Sequence, residues 1–198
     1  MMTEEKLRAL YGPPMPISAV KEIDRLDAHC RAFIAASPFL CMATSDGRAL
    51  DVSPKGDPAG FVEVEDDRHV LIPDRPGNNR IDGLLNILRH PQVALLFLIP
   101  RVDETLRVNG TAEIVDDPAT CARFAVKGRA PRTVLRVRAE TVFLHCGKAP
   151  LRARLWAPET WPGTRPVGTL GEMIRDHAEM EMDPTQEATD KLYRDTLY

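Results

Sequence analysis

The fold of this chain is decided by the stretch LIPDRPGNNRIDGLLNILRHPQVALLFLIP, which covers residues 71–100. It begins at the end of a predicted strand and continues through a polar loop rich in Asn, Arg and Gly. A short helix is predicted over 81–88, and the apolar run 93–99 predicts a strand. The start of a helix offers free backbone N–H groups, and Arg75 and Arg80 flank this one. The loop and the helix start therefore suit a phosphate group.

The same loop also has an interpretation as ordinary turn structure. Pro fixes φ, whereas Gly and Asn tolerate positive φ, and residues 74–79 contain all three. The residues alone leave both interpretations open. If a phosphate binds here, we expect Arg80 to be its main contact because Arg80 lies at the helix start, with Arg75 as the alternative.

Outward from this stretch, short apolar or alternating runs bounded by turn residues predict further strands. These runs cover residues 39–44, 49–54, 61–64, 69–72, 106–115 and 133–146. Gly110 inside one of them marks a bulge or a close backbone approach. Many short strands with few helices between them predict a mainly β, antiparallel barrel with flanking helices. We expect the barrel to close, so that no strand edge is exposed.

Helices are expected at both ends of the chain and in one connection. Apolar residues at three- and four-residue steps predict a helix over 18–36, with Ser18 as its N-cap. Residues 3–11 and 118–124 are also predicted to be helical, the second with Asp117 as its cap. The sequence thus predicts a single domain over 1–198, with an N-terminal helical segment over about 1–37 and a C-terminal helical extension over about 149–198.

Composition narrows the class of protein. The chain has 198 residues, of which 43% are hydrophobic and 28% charged, as in a globular protein. A net charge of −3 argues against a general role on nucleic acid or on a membrane surface. No apolar run reaches membrane-spanning length, and no signal pattern is visible, so we expect a cytoplasmic protein. The four cysteines lack CxxC spacing, and no metal site is expected.

Polar residues cluster at four predicted strand ends, where sites usually lie on a barrel. The clusters are residues 51–57, 74–80, 104–110 and 145–148, the last extended by Arg152 and Arg154. Arg offers a phosphate a planar pair of donors and Lys offers a point charge, although each taken alone has an alternative as a solvated surface residue. His145 is a candidate either for the pocket lining or for a structural role. No motif identifies a catalytic residue.

Two signatures carry a resemblance to a known family. SPKGDPAGFV over 53–62 and IPDRPGNNRID over 72–82 are followed by HPQVALLF over 90–97 and LRVNGTAE over 106–113. This order resembles the pyridoxamine 5′-phosphate oxidase-related, FMN-binding split-barrel family. More narrowly, it is similar to the bacterial branch with the SPxGDPxGFV and IPDRPGNNRxD signatures. The likeness extends over nearly the whole chain.

The resemblance implies a homodimeric split β-barrel with two FMN sites at the subunit interface. The residues that it implies for the flavin ring are Val52, Ser53, Pro54 and Lys55. Those that it implies for the ribityl phosphate are Asp74, Arg75, Asn79 and Arg80. The site would be closed by the partner subunit's Thr105, Arg107, Lys148 and Arg152.

The implied function is that of an FMN-dependent oxidoreductase acting on a small organic molecule by hydride or electron transfer. Pyridoxamine phosphate is not the expected substrate, because residues 78–80 read Asn-Asn-Arg where the oxidases of this family have Ser-Arg-Lys. The oxidases' substrate-binding arginine and histidine also have no clear match. The alternative is a non-catalytic protein that binds or stores flavin or haem on the same barrel. A non-catalytic protein needs no acid/base pair, and the sequence shows no obvious one.

Overall fold

Seven β-strands form one antiparallel sheet in a computed structural model that describes residues 1–178, 180–181 and 183–198. The strands are β1 (Phe39–Ser45), β2 (Leu50–Gly56), β3 (Glu63–Val64), β4 (His69–Pro73), β5 (Gln92–Leu98), β6 (Thr105–Val115) and β7 (Val134–His145). Their order in the sheet is β2-β1-β5-β6-β7-β4-β3. The prediction of a mainly β, antiparallel fold with flanking helices is confirmed.

The helices lie before, between and after the strands. They are α1 (Glu4–Tyr11), α2 (Pro16–Val20), α3 (Ala28–Ala36), α4 (Asp82–Arg89), α5 (Pro118–Ala122), α6 (Lys148–Ala153), α7 (Leu170–Ala178) and α8 (Gln186–Asp195), with a 3₁₀ turn at Pro158–Thr160. None of the helices in the described part of the chain is long and apolar enough to cross a membrane.

The prediction of one helix over 18–36 is wrong. Between α2 and α3, Ile23 forms an isolated bridge with Val142, and its N–H donates to the Val142 carbonyl at 2.9 Å. This pairing requires extended backbone and interrupts the helix. The cap is Asp27, whose Oδ1 accepts a hydrogen bond from the N–H of Cys30 at 2.8 Å, whereas Ser18 lies inside α2.

The expectation that the barrel closes is also wrong for the described residues. Strands β2 and β3 each pair on one side only, so the sheet has two open edges. Strand β3 is only two residues long and offers too few backbone groups to bridge the gap. The open edge of β2 is the one that matters for function, because the candidate site lies beside it.

The two faces of the sheet differ in burial. On the inner face, Leu40, Phe97 and Leu106 are 0% exposed, and Ile34 of α3 and Ile87 of α4 pack against the same core. The opposite surface is half-exposed and largely apolar, and we term it the outer face. It includes Phe39, Cys41 and Ala43 of β1, Val52 and Pro54 of β2, Ala94, Leu96 and Leu98 of β5, and the polar residues Thr105, Arg107 and Asn109 of β6.

Gly110 occupies a β-bulge, as the sequence predicted. The register between β6 and β7 shifts between Asn109 and Gly110. A β-carbon at position 110 would overlap the carbonyl oxygen of Arg138 on the neighbouring strand. Only glycine therefore lets β6 and β7 approach each other this closely.

We expect Gly110→Ala to destabilise the protein by about 1–3 kcal/mol, because the two strands must separate to admit the added methyl group. The free energy of unfolding from urea denaturation measures the change. Gly163→Ala is the matched control, since a β-carbon there meets nothing within 4 Å. Similar stabilities for the two variants would contradict the packing described at Gly110.

Candidate functional site

A cavity of about 960 Å³ lies along β2 and the loop between β4 and α4. Met42 and Phe61 contribute to its lining, and the other lining residues come from four segments. They are residues 51–56 of β2, the loop and helix start over 73–84, the connection over 129–133, and the pair Thr196 and Tyr198. The volume falls within the range of roughly 300–1,000 Å³ that is typical of small-molecule and cofactor sites.

The structure brings together eight of the twelve residues predicted for the site. Those that line the cavity are Val52, Ser53, Pro54, Lys55, Asp74, Arg75, Asn79 and Arg80. The other four lie outside it. Thr105 and Arg107 are on the outer face, and Lys148 and Arg152 are exposed on α6. The guanidinium of Arg107 lies 5.0 Å from the centre of the Phe143 ring on the adjacent strand β7.

Arg75 has a structural role in the cavity wall. Its Nε donates to Oδ2 of Asp57 at 2.6 Å, and its Nη1 donates to the carbonyl of Phe124 at 2.6 Å. The exposed fraction of the side chain is 18% for Arg75 and 2% for Asp57. The pair ties the loop after β4 to the loop after β2.

Lys55 makes a second link across the cavity. Its Nζ donates to Oδ1 of Asp74 at 3.1 Å, and both side chains are about three-quarters buried, with 21% and 24% exposed. The bond joins the end of β2 to the first residue after β4. Lys55 is therefore held in place before any ligand arrives.

Arg80 is placed very differently from Arg75. Its side chain is 72% exposed, and it forms an ion pair with Asp82, from Nε to Oδ2 at 2.7 Å. The hydrogen bond that Arg80 donates to the Asp82 carboxylate raises the pKa of Arg80. An exposed cation of this kind is free to turn from its neighbour to a ligand in the cavity.

The backbone on both sides of Arg80 is strained. Asn79 and Ile81 have φ of 57° and 51°, in the left-handed region. Asn tolerates this conformation, but a β-branched residue rarely adopts it. Such strain commonly marks ligand-binding loops. Ile81 is also the residue that precedes α4 and provides no side-chain cap, so the first N–H groups of the helix remain available at the cavity.

Residues 129–133 form a wall of the cavity that was not predicted from the sequence. This connection reaches the cavity because β4 pairs with β7, which sets the N–H of Asp74 3.0 Å from the carbonyl of Thr133. The signal in the sequence is the run Lys127-Gly128-Arg129, followed by Pro131 and Arg132, which combines turn residues with cations. The pairing that carries this run to the cavity spans 60 residues and is not visible in the sequence itself.

The charges at the cavity favour an anionic ligand. The lining has five basic side chains and three carboxylates. The basic ones are Lys55, Arg75, Arg80, Arg129 and Arg132, and the acidic ones are Asp51, Asp74 and Asp82. Among the described residues that line the cavity there is no histidine or cysteine. His145 lies at the end of β7, exposed and outside the cavity.

Comparison with known proteins gives a family match and several structural similarities. The sequence profile of pyridoxamine 5′-phosphate oxidase matches residues 26–146, more than half of the chain. Group A Streptococcus HupZ shares 20% identity over 60% of this chain and 92% of its own, with a TM-score of 0.48. The conserved hypothetical protein Rv2991 of Mycobacterium tuberculosis shares 16% identity over 71% of this chain and 94% of its own, with a TM-score of 0.47. An F420 reductase shares 17% identity over 57% and 94%, with a TM-score of 0.44. No curated protein sequence matches the chain.

Arg75 and Arg80 should differ in how much each contributes to the free energy of unfolding. We expect Arg75→Ala to lower the free energy of unfolding by about 3 kcal/mol, because it leaves the buried Asp57 carboxylate without its cation. Arg80→Ala should leave the urea unfolding midpoint unchanged, since exposed ion pairs contribute little. Both are measured without flavin. Equal losses in the two variants would contradict the assignment of a structural role to Arg75 alone.

Proposed function

Because the chain belongs to the pyridoxamine 5′-phosphate oxidase family, we propose that it is an FMN-binding flavoprotein and an oxidoreductase that acts on a small organic substrate. One observation carries the proposal. The exposed guanidinium of Arg80 and the uncapped start of α4 lie together in the wall of the cavity. A helix start beside an arginine is a favourable phosphate site.

The residues present fit the phosphate end and the ring end of FMN. Arg80, Asn79 and the N–H groups at the start of α4 would hold the phosphate, with Asp74 and Arg75 fixing the loop around it. The strand segment Val52–Lys55 would run along the ring, with Lys55 offering a positive charge from the inner side and Val52 and Pro54 offering apolar surface at the edge of the outer face. Bound FMN would supply the redox chemistry, and the protein would supply position and electrostatics.

We expect Arg80→Ala to weaken FMN binding by roughly ten- to a hundredfold, because it removes a charge-assisted hydrogen bond to the phosphate. Riboflavin lacks the phosphate, so its binding should barely change. Arg80→Lys should fall between, since Lys keeps the charge and loses the planar pair of donors. Titration of flavin fluorescence measures the affinity of each variant for FMN and for riboflavin.

Arg89→Ala is the matched control, because Arg89 is an exposed arginine at the other end of α4 and does not line the cavity. It should bind FMN as the unmodified protein does. Equal losses of affinity for FMN and for riboflavin in Arg80→Ala would contradict the proposed phosphate site. A purified protein that remains colourless and does not bind added FMN would overturn the function itself.

We further propose that the protein acts as a homodimer formed through the outer face. That face is apolar, and its Val52 side chain is 64% exposed at the cavity edge. Thr105 and Arg107 lie on the same face but away from the cavity of their own chain. Stacking two such faces would cover the apolar surface. It would also bring Thr105 and Arg107 of the partner subunit toward the cavity edge, with the partner subunit's Lys148 and Arg152 as further contacts.

We expect Leu96→Glu to produce a monomer with weakened FMN binding, because it places a charge in the centre of the outer face. A ligand that binds only the assembled state loses affinity when assembly is prevented. Sedimentation and FMN titration on the same sample measure both effects. Leu192→Glu, an equivalent change on the exposed surface of α8, should have neither. A monomeric Leu96→Glu protein with full FMN affinity would rule out a shared site.

A second candidate function is that of a non-catalytic flavin or haem carrier. It is favoured by the cavity lining, which contains no histidine or cysteine among the described residues. Two of its three carboxylates, Asp74 and Asp82, already bond cations. Consumption of NAD(P)H coupled to reoxidation of bound reduced flavin would favour the enzyme. A bound flavin that is inert to both pyridine nucleotides would favour the carrier.

A further inference from the structure

Tyr198 is docked against the cavity by its hydroxyl group. The segment after α8 brings this residue to Asp57, and the hydroxyl donates to Oδ1 at 2.6 Å. The other oxygen of the same carboxylate, Oδ2, accepts from Arg75. Since the Asp57 side chain is 2% exposed, the hydroxyl group of Tyr198 donates to a carboxylate that is almost shielded from water. Hydrogen bonds to charged acceptors are stronger than those between neutral groups.

Two further contacts hold the same residue. The ammonium of Lys127 lies 5.3 Å from the centre of the Tyr198 ring. Arg129 donates from Nη1 to the backbone carbonyl of Tyr198 at 2.8 Å. The hydroxyl, the ring and the backbone of one residue are thus each contacted by a different charged side chain. These three contacts fix the position of Tyr198, whereas an ordinary surface residue makes fewer and weaker contacts.

The docked residue is also part of the cavity wall. Tyr198 and Thr196 line the cavity together with Arg129 and the loop that carries Arg75. Through the carboxylate of Asp57, Tyr198 is linked by two hydrogen bonds to Arg75, which positions the loop around Arg80. We propose that Tyr198 is a positioning residue that closes this side of the cavity and slows the escape of a bound ligand. The identity of the ligand rests on the proposed function, whereas the docking does not.

Docking is measured without flavin. The chain has three tyrosines, and tyrosine labelled with ¹³C at the ring carbon that bears the hydroxyl gives one signal for each. Asp57 raises the pKa of Tyr198, mainly through the hydrogen bond and against a smaller opposing effect of Arg75. We therefore expect Tyr198 to titrate above the usual range of a tyrosine. Arg129→Ala, which frees the backbone of Tyr198, should lessen that shift.

Retention is measured with FMN as the probe. Tyr198→Phe keeps the ring and removes the hydroxyl, so we expect FMN to dissociate about tenfold faster, which corresponds to one hydrogen bond to a charged group. Tyr193→Phe is the matched control and should dissociate FMN at the unmodified rate. Because the hydrogen bond to Asp57 is present without flavin, Tyr198→Phe should also lower the unfolding midpoint. The dissociation rates are therefore compared at a temperature at which both variants are fully folded, which separates retention from general stability.

Three results decide the matter. Titration of Tyr198 within the usual range of a tyrosine would overturn the docking. A shifted Tyr198 with an unchanged FMN dissociation rate in Tyr198→Phe would overturn the role in retention. Failure of the unmodified protein to bind FMN would refute the proposed function, while a shifted Tyr198 titration in that same protein would still support the docked wall.

Discussion

The carboxylate of Asp57 is almost completely buried, and a buried charge is stable only when it is paired and hydrogen-bonded. Both of its oxygens are used, one by Arg75 and one by Tyr198. Arg75 in turn bonds the carbonyl of Phe124. Four segments that lie far apart in the chain are therefore fixed relative to one another by one carboxylate. The cavity exists because these segments cannot separate without leaving that charge unpaired.

The two arginines in the loop after β4 have different roles. Arg75 is paired with the buried Asp57, whereas Arg80 is exposed and is paired with Asp82 at the start of α4. The loop between them is held tightly enough to keep Asn79 and Ile81 at positive φ. Strain of this kind persists only where the surrounding contacts impose it. We interpret the loop as pre-formed for a ligand, with Arg75 as its support and Arg80 as the group that meets the ligand.

Much of the fold was predictable because its signals are local. Alternation of apolar residues indicated the strands, and Gly110 indicated the bulge that the structure has there. The helix over 18–36 was predicted wrongly because apolar residues continue at helical spacing through Ile23, which the structure uses to bridge Val142. Closure of the sheet was also predicted wrongly, since no local pattern tells how far a strand as short as β3 will pair.

The candidate site was predictable only in part, for a similar reason. Residues 52–55 and 74–80 are polar clusters at strand ends and could be recognised one at a time. The wall over 129–133 and Tyr198 reach the cavity through β4–β7 pairing and through Asp57, and these contacts span 60 to 141 residues of sequence. The positive φ of Ile81 had no signal at all, because isoleucine disfavours that conformation and the surrounding structure imposes it.

A crystal structure of the protein grown with FMN is the most direct test of the proposed site, because it locates the phosphate and the ring in one experiment. We expect the phosphate within hydrogen-bond distance of Arg80 and the first N–H groups of α4, with the ring along residues 52–55 and a second subunit over the outer face. A flavin bound elsewhere on the chain, or a phosphate held away from Arg80 and the start of α4, would contradict it.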